Sequence, residues 1–549
     1  MKVKIKYKDT IYEYEKGIKL KDIASDFQTE YNFPIIVGSI DNMVLGLNNV
    51  INKDCVVDFY DITSAPGSKA YERGLLFLFS KSVRDILNCD VMIQYMANND
   101  IYSEILSNDL ISEVTVEKIR LRMKELVKEE LPISKLMVSR LDAIDYFNKI
   151  NQIDKAESLN YISNSTVSLH KLDDTLDYYY GSMPDNTRIL NKFNLKFVKN
   201  NKVVLMLPNE YSVSNDLKYN KNEKLLDLIV RNDNYLNSLE IKTSVDFNKI
   251  ISNGNFGEIM RLTESIQNNR LFEISEKISK DKDIKVILIT GPSSSGKTTT
   301  SKKITLYLKG LGLNTIPISI DDFYTDMDKR VKDENGNPEF ERISAIDTKL
   351  FNKVISELLD GKEVNLPIYN FASGKQEVSK DVTKLGEKTV LVVEGIHAFH
   401  EQLTEMIPDK NKFKIFIAPL TPLNIDNHNI IKNDDNRLLR RIIRDNRTRD
   451  KTSSETLALW HNVRKAEEEM LFPYMKDADE IFNTNLIYEL SVLKTYAEPL
   501  LFSVSKDDPN YIEALRLINL FRVILAIPSD EVPSDSLLRE FIGGSCFKV

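Results

Sequence analysis

Residues 284 to 299, IKVILITGPSSSGKTT, constrain the fold of this chain more than any other stretch. An apolar run of strand length leads straight into Gly291-Pro-Ser-Ser-Ser-Gly-Lys-Thr298, and a helix is expected from about Lys297 to Lys309. A Gly-x4-Gly-Lys-Thr loop between a strand and a helix is a phosphate cradle: backbone N–H groups converge on the anion, the lysine reaches the β and γ oxygens, and the threonine hydroxyl takes Mg²⁺. The positive end of the following helix faces the same anion. Gly291, Ser293, Ser294, Ser295, Gly296, Lys297, Thr298 and Thr299 are therefore the candidate phosphate-binding residues. A serine-rich turn would not need a buried strand before it and a helix after it.

The rest of the chain divides around this loop. At 549 residues, with 42% hydrophobic residues, it has material for several cores. Segments 1–62, 63–209, 210–282, 283–505 and 506–549 read as separate units. The first alternates apolar and polar residues around Lys8-Asp9-Thr10, as a β-hairpin does, and continues into a helix with Leu20, Ile23, Ala24 and Phe27 on one face, giving a small β-grasp-like unit. Helices are expected to dominate from 67 to 209, with strands near 166–169 and 193–207, and 210–282 reads as a charged helical connector. From 283 to 505 strands and helices alternate, which predicts a parallel sheet with nucleotide at the carboxyl ends of its strands. A C-terminal helix and tail close the chain.

A net charge of −8 argues against nonspecific nucleic-acid binding as the main task. Cys55, Cys89 and Cys546 form no CxxC pair or disulfide framework, so a reducing cytoplasm is expected. No apolar run approaches the length of a membrane span, and no membrane partner is expected.

The strand Ile316 to Ile320 ends in Asp321-Asp322-Phe323-Tyr324. An aspartate there can take the proton of an acceptor hydroxyl while Mg²⁺ and cationic side chains stabilise the transferred phosphoryl group. Asp321 is the candidate base; Asp322 is the fallback, or a capping group. Thr389 to Gly395 is apolar and ends in Glu394, the candidate for Mg²⁺ or its waters alongside Thr298, with a buried structural carboxylate as the alternative. His397 and His400 follow, and lone histidines of this kind are usually structural. Downstream, RLLRRIIRDNRTRD sets Leu438, Leu439, Ile442 and Ile443 on one helix face and Arg437, Arg440, Arg441 and Arg444 on another. Such arginine density suits a lid over phosphates, with Arg444, Arg447 and Arg449 as its candidates; a solvated basic face is the alternative.

Taken together, GPSSSGKTTTS, SIDDFY, LPIYNF at 366–371, VVEGIHAF and RRIIRDNRTRD resemble uridine kinase and its relative phosphoribulokinase over about 220 residues. The resemblance implies an α/β P-loop kinase domain that uses ATP and Mg²⁺. It also implies that Asp321 is the base for a nucleoside 5′-hydroxyl, that Tyr324 and Glu341 lie near the sugar, and that Tyr369 and Phe371 flank the nucleobase. Uridine kinases usually follow the aromatic pair with Thr-His; this chain has Ala372-Ser373-Gly374, which leaves the choice of nucleoside open. The first 210 residues resemble the N-terminal part of threonyl-tRNA synthetase, a TGS-type β-grasp unit followed by the second additional domain. Where that domain carries its editing ligands this chain has Arg73, Phe77, Tyr179 and Met183, so neither editing nor a zinc site is expected. RNA or tRNA binding by this α+β head, helped by Lys192, Lys196, Lys199 and Lys202, competes with a structural or homo-oligomerising role.

Overall fold

The computed structural model describes residues 2–97, 100–208, 213–214, 216–219, 221–330, 342–370 and 373–548. The first unit contains β1 (Lys2–Tyr7), β2 (Thr10–Glu15), β3 (Ile18–Lys19), α1 (Leu20–Phe27), β4 (Val37–Ile40), β5 (Met43–Gly46), β6 (Val50–Ile51) and β7 (Cys55–Tyr60). Its sheet runs β2-β1-β7-β4-β5, with β1 and β7 parallel. Val3, Ile5 and Tyr7 alternate inward from β1 and meet Leu20, Ile23, Ala24 and Phe27 of α1, as the period-2 and period-3.6 patterns require.

The second unit contains α2 (Ala65–Leu87), β8 (Val91–Ala97), β9 (Asp100–Ile105), α3 (Glu113–Lys128), β10 (Ile133–Ser139), α4 (Arg140–Lys149), α5 (Ile153–Ser158), β11 (Thr166–Leu172), β12 (Thr175–Asp177), β13 (Asn194–Lys199) and β14 (Lys202–Met206). It has more strand than its sequence suggests. A four-stranded sheet, β13-β14-β9-β8, and a three-stranded one, β10-β11-β12, stand where helices were expected to dominate. Strand β8, VMIQYMA, is buried on both faces, so it lacks the alternation that marks a half-exposed strand.

Residues 210–282 are helical in α6 (Glu223–Ser238), α7 (Ser244–Ser252) and α8 (Phe256–Lys280), but they are not a free connector. Leu225 and Ile229 of α6 join the core on one face of the nucleotide-domain sheet, and Leu271, Ile274 and Ile278 of α8 join the core on the other. That domain continues through β15 (Val286–Thr290), α9 (Lys297–Gly310), β16 (Asn314–Ser319), α10 (Thr348–Leu359), β17 (Glu363–Asn370), β18 (Lys375–Lys384), β19 (Thr389–Glu394), α11 (Glu401–Thr404), β20 (Lys412–Ile417), α12 (Asn433–Thr448), α13 (Ser453–Met470), β21 (Glu480–Phe482) and α14 (Glu489–Phe502). Its parallel sheet has the order β16-β19-β15-β20-β21, and β17 and β18 form a separate antiparallel hairpin. β15 is buried along its whole length because helices cover both faces. The connection from β15 runs to β16 at one edge of the sheet and that from its neighbour β20 runs to β21 at the other, and this switch point opens a crevice beside the carboxyl end of β15. The last helices, α15 (Tyr511–Leu520) and α16 (Arg539–Ile542), share one core with α12 and α14 and are part of this body.

The head and the nucleotide domain are joined through the loop before α12. Asn424 donates to the carbonyls of Ile93 and Gln94 at 2.8 and 3.0 Å, and Asn429 donates to Tyr178 O at 2.9 Å. His428 is buried in the head: Nδ1 lies 2.7 Å from both Asp177 Oδ2 and Lys155 Nζ, and Nε2 lies 2.9 Å from Asp90 Oδ1. Its ring stacks on Tyr179, which in turn packs against Phe77. Phe77 and Tyr179, two of the four positions expected to match editing ligands, thus form aromatic packing, and Tyr179 stacks on a histidine from the neighbouring domain. Arg73 donates to Ser182 O, and Met183 is buried.

Candidate active site

β15 delivers Gly291 into a space too small for a side chain: a Cβ there would sit 2.7 Å from both Ile417 Cβ and Ile417 O. The bend then takes Ser294 at φ 57° and Gly296 at φ 87°, left-handed angles that turn successive N–H groups inward. Among the described residues, the N–H groups of Ser294, Gly296, Lys297 and Thr298 have no protein acceptor, and the buried hydroxyls of Ser294 and Ser295 have no partner. Polar groups buried in this way cost free energy unless a ligand satisfies them. The Lys297 ammonium is folded onto the loop, donating to Gly291 O at 3.0 Å and Pro292 O at 3.1 Å.

Ser293 departs from its expected role. Its N–H donates to Glu467 Oε1 at 2.7 Å and its hydroxyl accepts from Arg441 at 2.8 Å, so this residue ties the loop to α12 and α13 instead of lining the cradle. Thr299 also has protein partners: its N–H and Oγ1 both donate to Glu540 Oε2, at 3.2 and 2.7 Å.

Asp321 lies in the short 3-10 turn that follows β16 and Glu394 ends the neighbouring strand β19, so the two acids stand beside the loop. Asp321 is solvent-exposed, yet protein surrounds it closely enough that desolvation pushes its carboxyl up, opposed by the charges of Lys297 and Arg449 and a hydrogen bond from Tyr324. Glu394 is pushed up to about 7 by desolvation, with Lys297 opposing and Asp321 and Glu540 adding to the rise. Thr298 Oγ1 donates to Glu394 Oε1 at 3.4 Å. One ammonium therefore acts on two carboxylates, and a hydroxyl and a carboxylate stand together as hard oxygen donors. That donor set suits Mg²⁺, which prefers one or two carboxylates and keeps several waters.

Asp322 accepts from the Tyr369 N–H at 3.2 Å, which pins the acid-bearing turn to the β17 hairpin. Tyr324 and Tyr369 meet edge to face at 5.6 Å, and the Arg330 guanidinium lies 4.5 and 4.9 Å from their ring centres. Glu341 and Phe371 lie outside the described residues. His397 is buried, while His400 caps α11 by accepting from the Gln402 N–H at 3.3 Å.

The arginine helix differs most from expectation. Arg437 and Arg440 are almost fully buried, although their charges suggested an open face. Arg437 pairs with Glu467 and donates to Ser293 O; Arg440 pairs with Glu489 and donates to Ser294 O. They brace the outside of the phosphate loop. Arg447 donates to the carbonyls of Phe541 and Glu540, so it holds the C-terminal tail and is not a free lid group. Arg444 pairs with Asp445 at 2.8 Å. Arg449 is half exposed, lies 3.5 Å from Asp445, and its charge opposes the rise of the Asp321 carboxyl. A sequence pattern locates charge on a helix but not the buried carboxylates, here Glu467 and Glu489, that neutralise it from other elements.

This sheet order, with a phosphate loop at the switch point and an acid-ended strand beside it, is that of a P-loop nucleotide-binding domain. Residues 286–487 match the Phosphoribulokinase / Uridine kinase family, and this region is a kinase domain of that family. The N-terminal region matches threonine--tRNA ligase of Francisella tularensis subsp. tularensis (strain FSC 198), 24% identical over 195 residues, covering 35% of this chain and 31% of the ligase. The chain thus spans about a third of the length of the curated relatives it matches. Among solved structures, a possible uridine kinase from Bacillus stearothermophilus is 16% identical, covering 39% of this chain and 98% of its own, at a TM-score of 0.28. The D-glycerate 3-kinase of Cryptococcus neoformans var. grubii is 17% identical, covering 45% and 80%, at a TM-score of 0.20.

Proposed function

We propose that the chain transfers the γ-phosphoryl group of ATP to a nucleoside 5′-hydroxyl, in the manner of a uridine or cytidine kinase. The observation that carries this reading is the placement of Asp321, in the turn after β16, beside Glu394, at the end of the neighbouring β19, both acted on by Lys297. The free N–H groups of Ser294, Gly296, Lys297 and Thr298 would hold the phosphates. Asp321 accepts the proton of the acceptor hydroxyl; its raised affinity for protons moves it toward the range where a base works well at neutral pH. Lys297 and Arg449 would place positive charge near the negative oxygens of the transferred group. Thr298 and Glu394 would hold Mg²⁺, which would supply positive charge to offset that of the phosphates. Tyr324 and Tyr369 provide an aromatic wall beside the acceptor.

A phosphorylated sugar or a purine nucleoside is the competing acceptor. Arg330 lies over both tyrosines, and a cation there favours an anionic substrate. RNA binding by the head has less support: Lys196 pairs with Glu113, Lys202 pairs with Asp233, and Lys192 donates to Val213 O. The test is ADP release from purified protein with Mg-ATP and a panel of uridine, cytidine, purine nucleosides and phosphorylated sugars. Turnover with uridine or cytidine supports the proposal. Turnover confined to a phosphorylated sugar replaces it.

A further inference from the structure

The tail that follows α15 returns to the phosphate loop. Phe541 and Leu538 are fully buried in the core shared with α12, and Arg447 grips the carbonyls of Glu540 and Phe541 at 2.9 and 3.0 Å. Held there, Leu537 covers Gly296 so closely that a Cβ on that glycine would come within 2.6 Å of its Cδ2. Glu540 then accepts both the N–H and the hydroxyl of Thr299, in the first turn of α9.

That turn is where a phosphate loop presents its last N–H groups to the nucleotide. Gly296 precedes α9 with no side chain to cap it, so the helix has its first-turn acceptor from a carboxylate more than two hundred residues away. A carboxylate and a phosphate oxygen cannot share one N–H, and two anions this close repel each other. We propose that Glu540 is an internal competitor for the phosphate site at Thr299, and that nucleotide binding expels its carboxylate and loosens residues 537–544. This rests on the reading that the loop binds ATP. A permanent helix cap predicts the opposite: its removal would weaken α9 and the nucleotide site with it.

Titration calorimetry of the full chain with MgADP and with adenosine separates these outcomes, using wild type, Glu540→Gln, Glu540→Ala and Lys297→Ala. The expected result is MgADP affinity raised about three- to tenfold in both Glu540 variants, with adenosine affinity unchanged because adenosine has no phosphate to compete. MgADP should also raise amide hydrogen exchange at 537–544 in the wild type. Unchanged or weakened MgADP binding in both Glu540 variants overturns the proposal, as does a tail whose exchange does not respond to MgADP. If MgADP binds wild type and Lys297→Ala equally, or binds none of the four, the nucleotide reading itself fails.

Discussion

Replacing Arg440 with methionine tests whether α12 braces the phosphate loop from behind. The guanidinium is completely buried and pairs with Glu489, with Nη2 2.7 Å from Oε2; it also donates to Ser294 O at 3.2 Å, Thr484 O at 3.0 Å and Asn485 Oδ1 at 3.0 Å. Methionine fills much of the volume but leaves Glu489 with a single 3.3 Å bond from the Leu486 N–H. Stranding a buried charge costs about 3–5 kcal/mol. Adding Glu489→Leu removes that charge and should restore most of the loss, leaving about 1–3 kcal/mol for the carbonyls of Ser294 and Thr484. Urea is the suitable denaturant because it does not screen charge. Trp460 is the chain's only tryptophan and lies 5.1 Å from the Arg437 guanidinium, so its fluorescence reports on this domain alone. A loss below about 1 kcal/mol for Arg440→Met, or a double variant whose loss equals the sum of the two singles, would refute the reasoning.

Asp321→Asn should lower kcat by about 10²- to 10⁴-fold, while MgADP affinity holds or rises because a negative charge near Lys297 is lost; steady-state kinetics with calorimetry checks both. Glu394 is held at about 7, so metal-nucleotide binding that needs its carboxylate should release about 0.9 proton at pH 6 and about 0.1 at pH 8. Calorimetry in buffers of different ionisation enthalpy measures that release, and equal release at both pH values contradicts the assignment. The same shift has a sign for stability: between the ordinary value of 4.5 and about 7 the folded chain holds a proton that the unfolded chain gives up. This group's contribution therefore falls as pH rises through that window, and Glu394→Gln should flatten the pH profile of unfolding there. Gly291→Ala drives a methyl group into Ile417 at 2.7 Å, should cost about 1–3 kcal/mol in the urea assay and should weaken nucleotide binding.

Local pattern was enough for the elements whose burial follows a simple period. The alternation of Val3, Ile5 and Tyr7 places β1, and the stripe Leu20, Ile23, Ala24, Phe27 is the set that α1 buries. The run VILIT and the acid-ended TVLVVE are strands β15 and β19. The period fails where both faces are covered, as in β8. It also fails for 210–282, whose charged helices read as a connector although Leu225, Ile229, Leu271 and Ile274 pack onto opposite faces of the sheet.

The chemistry of the phosphate loop is a property of consecutive residues, because a Gly-x4-Gly-Lys-Thr bend fixes the backbone angles and donors that an anion needs. The sequence alone therefore marked 291–298 as the candidate phosphate site, and Asp321 and Glu394 as the candidate acids beside it. What surrounds that bend comes from far along the chain: Glu467 and Arg441 at Ser293, Arg440 at Ser294 and Glu540 at Thr299. Long-range pairing of buried charge depends on which elements pack together, and no local pattern encodes it. Only the tertiary structure decided that Arg437 and Arg440 are braces, that Arg447 holds the tail, and that the charge of Arg449 bears on Asp321.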